Sequence, residues 1–101
     1  MREAFRNAVQ AAIDESIKIG YRPERMIGMV NEGDPVQVAK RLVVSGDIQQ
    51  GFREMINRGR PDLTMECIML RSEFAGLFTA DELDAARWRL QQAGVHGQCN
   101  I

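Results

Sequence analysis

The sequence predicts an all-α protein: one compact domain, residues 1–94, of five to seven short helices around a buried central helix at residues 62–70. Three observations lead there. Apolar residues recur at helical spacing through most of the chain, and the segments so marked are bracketed by residues that start and stop helices. The run Leu63 to Leu70 is apolar on more than one face, as a helix in the middle of a bundle must be. No segment alternates well enough to be a strand.

The first element spans residues 1–19, where Phe5, Val9, Ala12, Ile13 and Ile17 fall at i, i+4, i+7, i+8 and i+12 and form one stripe, with most charges off it. Gly20 is placed to close it, and Pro23 to open a second helix carrying Met26, Ile27, Met29 and Val30 up to Gly33. Asp34-Pro35-Val36-Gln37 reads as a cap, a proline at the first helical position and a capping-box glutamine, ahead of Val38, Ala39, Leu42 and Val43. Asp47-Ile48-Gln49-Gln50 repeats that device before Phe52, Met55 and Ile56. Gly59 and Pro61 then stop the fourth helix, and Asp62 is expected to cap the central one. Phe74, Leu77 and Phe78 mark a short buried turn. Thr79-Ala80-Asp81-Glu82 is a capping box for a last helix carrying Leu83, Ala86, Leu90 and Ala93, closed by Gly94. Residues 95–101 are expected to form a flexible tail.

Composition narrows the classes. With 101 residues and 45% apolar side chains the chain can bury a core without staples, so one domain is expected. A net charge of -1 and a pI near 5.8 supply no electrostatic reason for nucleic acid or an anionic membrane as the main partner. Cys67 and Cys99 are a lone pair rather than a disulfide framework, which suggests a reducing cytosol. Charges run through Met1 to Arg6 where a signal peptide would be apolar, and no apolar run approaches membrane-spanning length.

Arg58 and Arg60 flank Gly59 beside the start of the Asp62 helix, so their guanidinium groups and free helix N–H groups could hold a phosphate or carboxylate. The alternative pairs one of them with Asp62 or Glu66 to fix the corner between helices, and is favoured because an aspartate already occupies the anion position. Arg22, Arg25, Lys40, Arg41, Arg53, Arg58 and Arg60 form a basic stripe only if the second to fourth helices share a face; among as many acids they read as a solvated surface. Trp88 lies off the apolar stripe of its helix, which makes it either an interface contact or a cover over the first helix. His96 and Cys99 supply two soft ligands on a tail, too few for zinc. Histidine acid-base chemistry is disfavoured by a single tail histidine. Met26, Met29, Met55, Met65 and Met69 suit core filling, or an adaptable groove for a partner helix.

An ordered series of blocks between residues 20 and 90 carries a resemblance. Gly20-Tyr21-x-Pro23, Met29 with Gly33, Ala39-Lys40-Arg41-Leu42, Gly51-Phe52, Arg58-Gly59-Arg60-x-Asp62-Leu63-Thr64-x-Glu66, Leu77-Phe78-Thr79-x-x-Glu82 and Ala86-Arg87-x-Arg89-Leu90 resemble a small bacterial domain of unknown function. That domain is often a C-terminal segment of larger proteins, some of them HNH-type nucleases or defence-linked proteins. The resemblance implies a compact helical accessory module and supplies no catalytic residues. The chain departs from the pattern at Met55-Ile56, where the family has Leu-Trp, at Pro61, where it has Leu, and at Trp88, where it has a charged residue.

The expectation is therefore a non-enzymatic interaction module of a bacterial cytosolic system, with no cofactor and no metal. Its partner is a protein or a second copy, the latter joined through the terminal helices. Weak nucleic-acid contact through Arg58 and Arg60 is the alternative. A small-molecule or enzymatic role built on Arg58, Arg60, Asp62 and Glu66 is the weakest.

Overall fold

A computed structural model describes residues 2–44 and 50–95. Among them there is no strand, and six α-helices follow in order: α1 (Arg2–Lys18), α2 (Glu24–Glu32), α3 (Pro35–Val44), α4 (Gln50–Asn57), α5 (Met65–Met69) and α6 (Ala80–Gln92). Single 3-10 turns at Pro61–Leu63 and Ala75–Leu77 flank α5. The all-α architecture is as the periodicities require.

Local chemistry sets the helix ends. Gly20 and Gly59 both take positive φ, and in each case the N–H of the next residue reaches back five positions, Tyr21 to the Ser16 carbonyl (2.9 Å) and Arg60 to that of Met55 (2.8 Å). These paired turns close α1 and α4 on residues that alone tolerate the backbone without strain. Asp34 Oδ1 accepts the N–H of Val36 (3.1 Å) at the start of α3, and the Asp34 carboxylate also pairs with Arg2. The capping box of α6 is complete: Thr79 Oγ1 accepts from Glu82 N (3.1 Å), and Glu82 Oε1 accepts from Thr79 N (2.8 Å). The Asp47 cap expected for α4 lies outside the described residues.

The central helix differs from the expectation in where it starts. Pro61–Leu63 forms a 3-10 turn, and the residue that caps α5 is Thr64, whose Oγ1 accepts from Cys67 N (3.2 Å) while donating to the Pro61 carbonyl (2.7 Å). Asp62 does not cap because its carboxylate takes both ends of the Arg60 guanidinium, at 3.1 and 3.0 Å, a bidentate charged pair that outcompetes a helix N–H. Leu63, Cys67 and Ile68 are buried as expected, and Leu70, at the helix end, is only half-buried.

Two elements hold the rest together. α1 and α6 each pack on both α3 and α5, and α2 lies on α3. Phe5 of α1 meets Phe74 edge-on (centroids 5.3 Å apart) and Phe78 (5.5 Å), which is why the short turn after α5 is drawn inward. Of the α1 stripe, Phe5, Val9, Ala12 and Ile13 are buried in this core and Ile17 is 42% exposed. The first helix therefore keeps its apolar face inside its own molecule, which removes the premise of a dimer built on that stripe.

Beside the main core a smaller cluster joins Phe52, Cys67, Leu90 and Val95. Val95, the first residue of the expected tail, is buried there with its N–H on the Leu90 carbonyl (2.9 Å). Residues 96–101, including His96 and Cys99, lie outside the described residues. Cys67 is disulfide-bonded rather than a reduced thiol, which corrects the reading of the cysteines. No described helix is long and apolar enough to cross a membrane.

Candidate functional site

The arginine corner is a clasp. The turns at Gly20 and Gly59 bring the ends of α1 and α4 together, and Arg58 spans them: its Nη1 donates to the Ile19 carbonyl (2.9 Å), its Nε pairs with Glu54 (3.3 Å), and its guanidinium lies 5.7 Å from the centre of the Tyr21 ring. Arg60 holds Asp62 and also reaches Glu15 on α1 (3.3 Å). Hydrogen bonds to Asp62, then to Glu15, raise the Arg60 pKa above its already high value, so the group stays charged. An incoming phosphate would compete with Asp62 and Glu15 for Arg60 and with a helix-end carbonyl for Arg58. Lys40 pairs with Glu82 (3.3 Å) and Arg22 with Glu24 (2.6 Å), so these members of the basic stripe also have acidic neighbours.

Trp88 of α6 is 59% exposed, so it is not part of the core. Neighbouring Arg87 is turned to Asp84 (2.8 Å).

Sequence reasoning missed the most buried polar feature. Glu66 of α5 and Arg89 of α6, 1% and 4% exposed, form an ion pair with Nε to Oε2 at 2.8 Å, and the Arg89 guanidinium lies 5.8 Å from the centre of the Phe52 ring. Burial raises the pKa of the Glu66 carboxyl, while the hydrogen bonds from Arg89 and from its own backbone N–H pull it down. A signal was present. Glu66 is the lone charge inside an apolar run, and Arg89 interrupts the stripe of Ala86, Leu90 and Ala93, so each helix carries one charge on its buried face and each charge needs a partner.

The ion pair stands between two cavities. The larger, about 430 Å³, is bounded by Ser16 of α1, by Tyr21 and Met26, by Val38 and Leu42 of α3, by Phe52 and Met55 of α4, and by Leu63 to Glu66 below. The smaller, about 340 Å³, is lined by Phe52, Arg53, Ile56, Asn57, Arg89, Gln92 and Ala93. Phe52 borders both, Glu66 faces the first and Arg89 the second. Met26, Met55 and Met65 line the larger cavity, whereas Met69 is buried in the core. The Met29 side chain lies outside the description. Among the described residues no group of three or more His, Cys, Asp or Glu side chains could hold a metal ion.

Comparison with protein-family models, with curated proteins and with solved structures finds no match.

Proposed function

We propose that this protein is a non-enzymatic helical interaction module that binds a partner protein through the outer face of α6. The observation that carries this reading is Trp88, the only tryptophan in the chain, held on a well-capped helix with more than half its surface exposed. A rigid indole presented in this way suits a partner with an apolar socket and a hydrogen-bond acceptor for the ring N–H. The engagement of Arg58 and Arg60 in internal bonds supports the same reading over phosphate binding at the arginine corner. A second copy is the weaker partner, because burial of the α1 stripe leaves a dimer only Trp88 and Ile17 as large apolar contacts at the chain's two terminal helices. The bacterial setting rests on the resemblance alone. A cytosolic location inferred from reduced cysteines loses that support with Cys67 disulfide-bonded.

The test is photo-crosslinking in the native host with a benzophenone side chain at position 88 and, as control, at position 73 away from α6. A discrete adduct of another protein at 88, absent at 73 and weakened when neighbouring Gln91 is made arginine, is expected. Equal adducts at both positions, or none at 88, would remove the reading.

A further inference from the structure

We propose that the larger cavity is a binding site for a compact apolar small molecule that carries a polar group at one end only. Its walls reach into the core: Val38, Met65, Thr64 and Glu66, all at most 2% exposed, border it. That depth suits a discrete molecule better than the side of a docked protein. Its volume of about 430 Å³ falls within the ~300–1,000 Å³ common for such sites.

The hydrogen-bond inventory of the walls sets the ligand's chemistry. The Ser16 hydroxyl donates to the Ala12 carbonyl (2.8 Å) and lies 3.6 Å from the Met55 sulfur. The Thr64 hydroxyl both donates to Pro61 and accepts from Cys67. Glu66 is held by Arg89, and this charge pair is neutral as a unit. A hydroxyl pushed to the deep end would leave water and find no free donor for its oxygen, because the Ser16 and Thr64 hydroxyls donate elsewhere and Glu66 only accepts, whereas a hydrocarbon body makes no such demand. Polar groups with solvent access stand elsewhere on the lining, where Arg22 and Glu24 pair across an exposed 2.6 Å contact near Tyr21. The ligand's polar end belongs there. Met26, Met55 and Met65 supply walls that adapt to the shape of the apolar body.

Octan-1-ol and octane-1,8-diol make the test, since they share a body and differ in whether a second hydroxyl must be buried. In protein labelled with carbon-13 on its methionine methyls, octan-1-ol is expected to give saturable shifts at Met26, Met55 and Met65 with little change at Met69. The diol should bind at least about tenfold more weakly. Gly51→Leu is the blocking variant. Gly51 is inside α4, and a Cβ there would sit 3.9 Å from the Tyr21 ring, in ordinary contact, so the added side chain enters the cavity without a forced backbone change. Leu42→Trp fills the same space from α3, and each variant is used only if its helical circular dichroism matches the parent. Loss of octanol binding in the folded blocking variants supports the site. Equal affinity for alcohol and diol, binding that survives both variants, or saturable binding only of peptides with apolar anchors would each overturn it.

Discussion

Removing Arg89 should expose how much the fold depends on the buried Glu66–Arg89 ion pair. In Arg89→Leu the side-chain volume is largely kept, but Glu66 remains 1% exposed with its strongest partner gone. Breaking a buried pair from one side costs about 3–5 kcal/mol, against a total of roughly 5–15 kcal/mol for a domain of this size. Urea denaturation followed by helical circular dichroism reads the loss directly; Trp88 fluorescence is a poor reporter because the ring is already exposed. The cost should depend on pH in a defined direction. Burial sets the folded pKa of Glu66 above its ordinary value of 4.5, so the native state binds that proton more tightly than the unfolded chain. The corresponding stability is fully present below about pH 4.5 and is lost as pH rises through the folded value. In Arg89→Leu the lowering effect of the arginine is absent, so the penalty should be largest at neutral pH and shrink on acidification. The double variant Glu66→Leu, Arg89→Leu should recover most of the loss, because an apolar pair needs no compensation. An Arg89→Leu cost below about 1 kcal/mol at pH 7, or one that grows toward acid, would refute this reasoning.

Ile68→Ala, at a fully buried position on α5, should cost about 2–5 kcal/mol by equilibrium denaturation, and a loss below about 0.5 kcal/mol would show that α5 is not central. Thr79→Ala removes the cap of α6 and should cost about 0.5–2 kcal/mol. Glu82 shows the opposite pH behaviour to Glu66. The Thr79 backbone N–H, then Lys40, hold its carboxyl below the ordinary value, so its contribution is present above about pH 4.5 and lost as pH falls through the folded value. An acid melt of Glu82→Gln that retains the parent's full loss in this range would contradict that. Thiol titration without reductant should find Cys67 blocked, and a reactive Cys67 in the folded protein would contradict the disulfide.

The ends of the helices were legible in the sequence wherever a single residue decides them. Gly20, Gly59 and Thr79 act through backbone conformation or a hydroxyl three residues from its donor, and neither needs knowledge of the rest of the molecule. Asp62 was half legible: its pairing with an arginine of the corner was the favoured reading, but its loss as a cap was not, because a carboxylate chooses between a helix N–H and a guanidinium and the choice turns on where Arg60 comes to rest. The same holds for Trp88. Helical phase placed it off the stripe, but only the packing of α6 on α3 and α5 leaves its face outward. The Glu66–Arg89 pair was half legible, as one misplaced charge on each of two apolar faces, with no means of joining them before the helices meet. The cavity had only the weak signal of the methionines, of which Met26, Met55 and Met65 line it, since it is the space that α1 to α4 leave above α5.

Arg58 and Arg60, bonded to Ile19, Glu54, Asp62 and Glu15, belong to the frame and not to a ligand. Denaturation of the double variant Arg58→Ala, Arg60→Ala, run beside a titration with duplex and single-stranded DNA, tests this most directly. Both side chains are about one-third exposed, at 35%, so their bonds to Ile19, Glu54, Asp62 and Glu15 are partly screened. The expected result is a lower denaturation midpoint, with the parent binding DNA only weakly and in a salt-sensitive way. An unchanged midpoint, together with submicromolar DNA binding at physiological salt that the double variant abolishes, would contradict the claim and make the arginine corner a phosphate site.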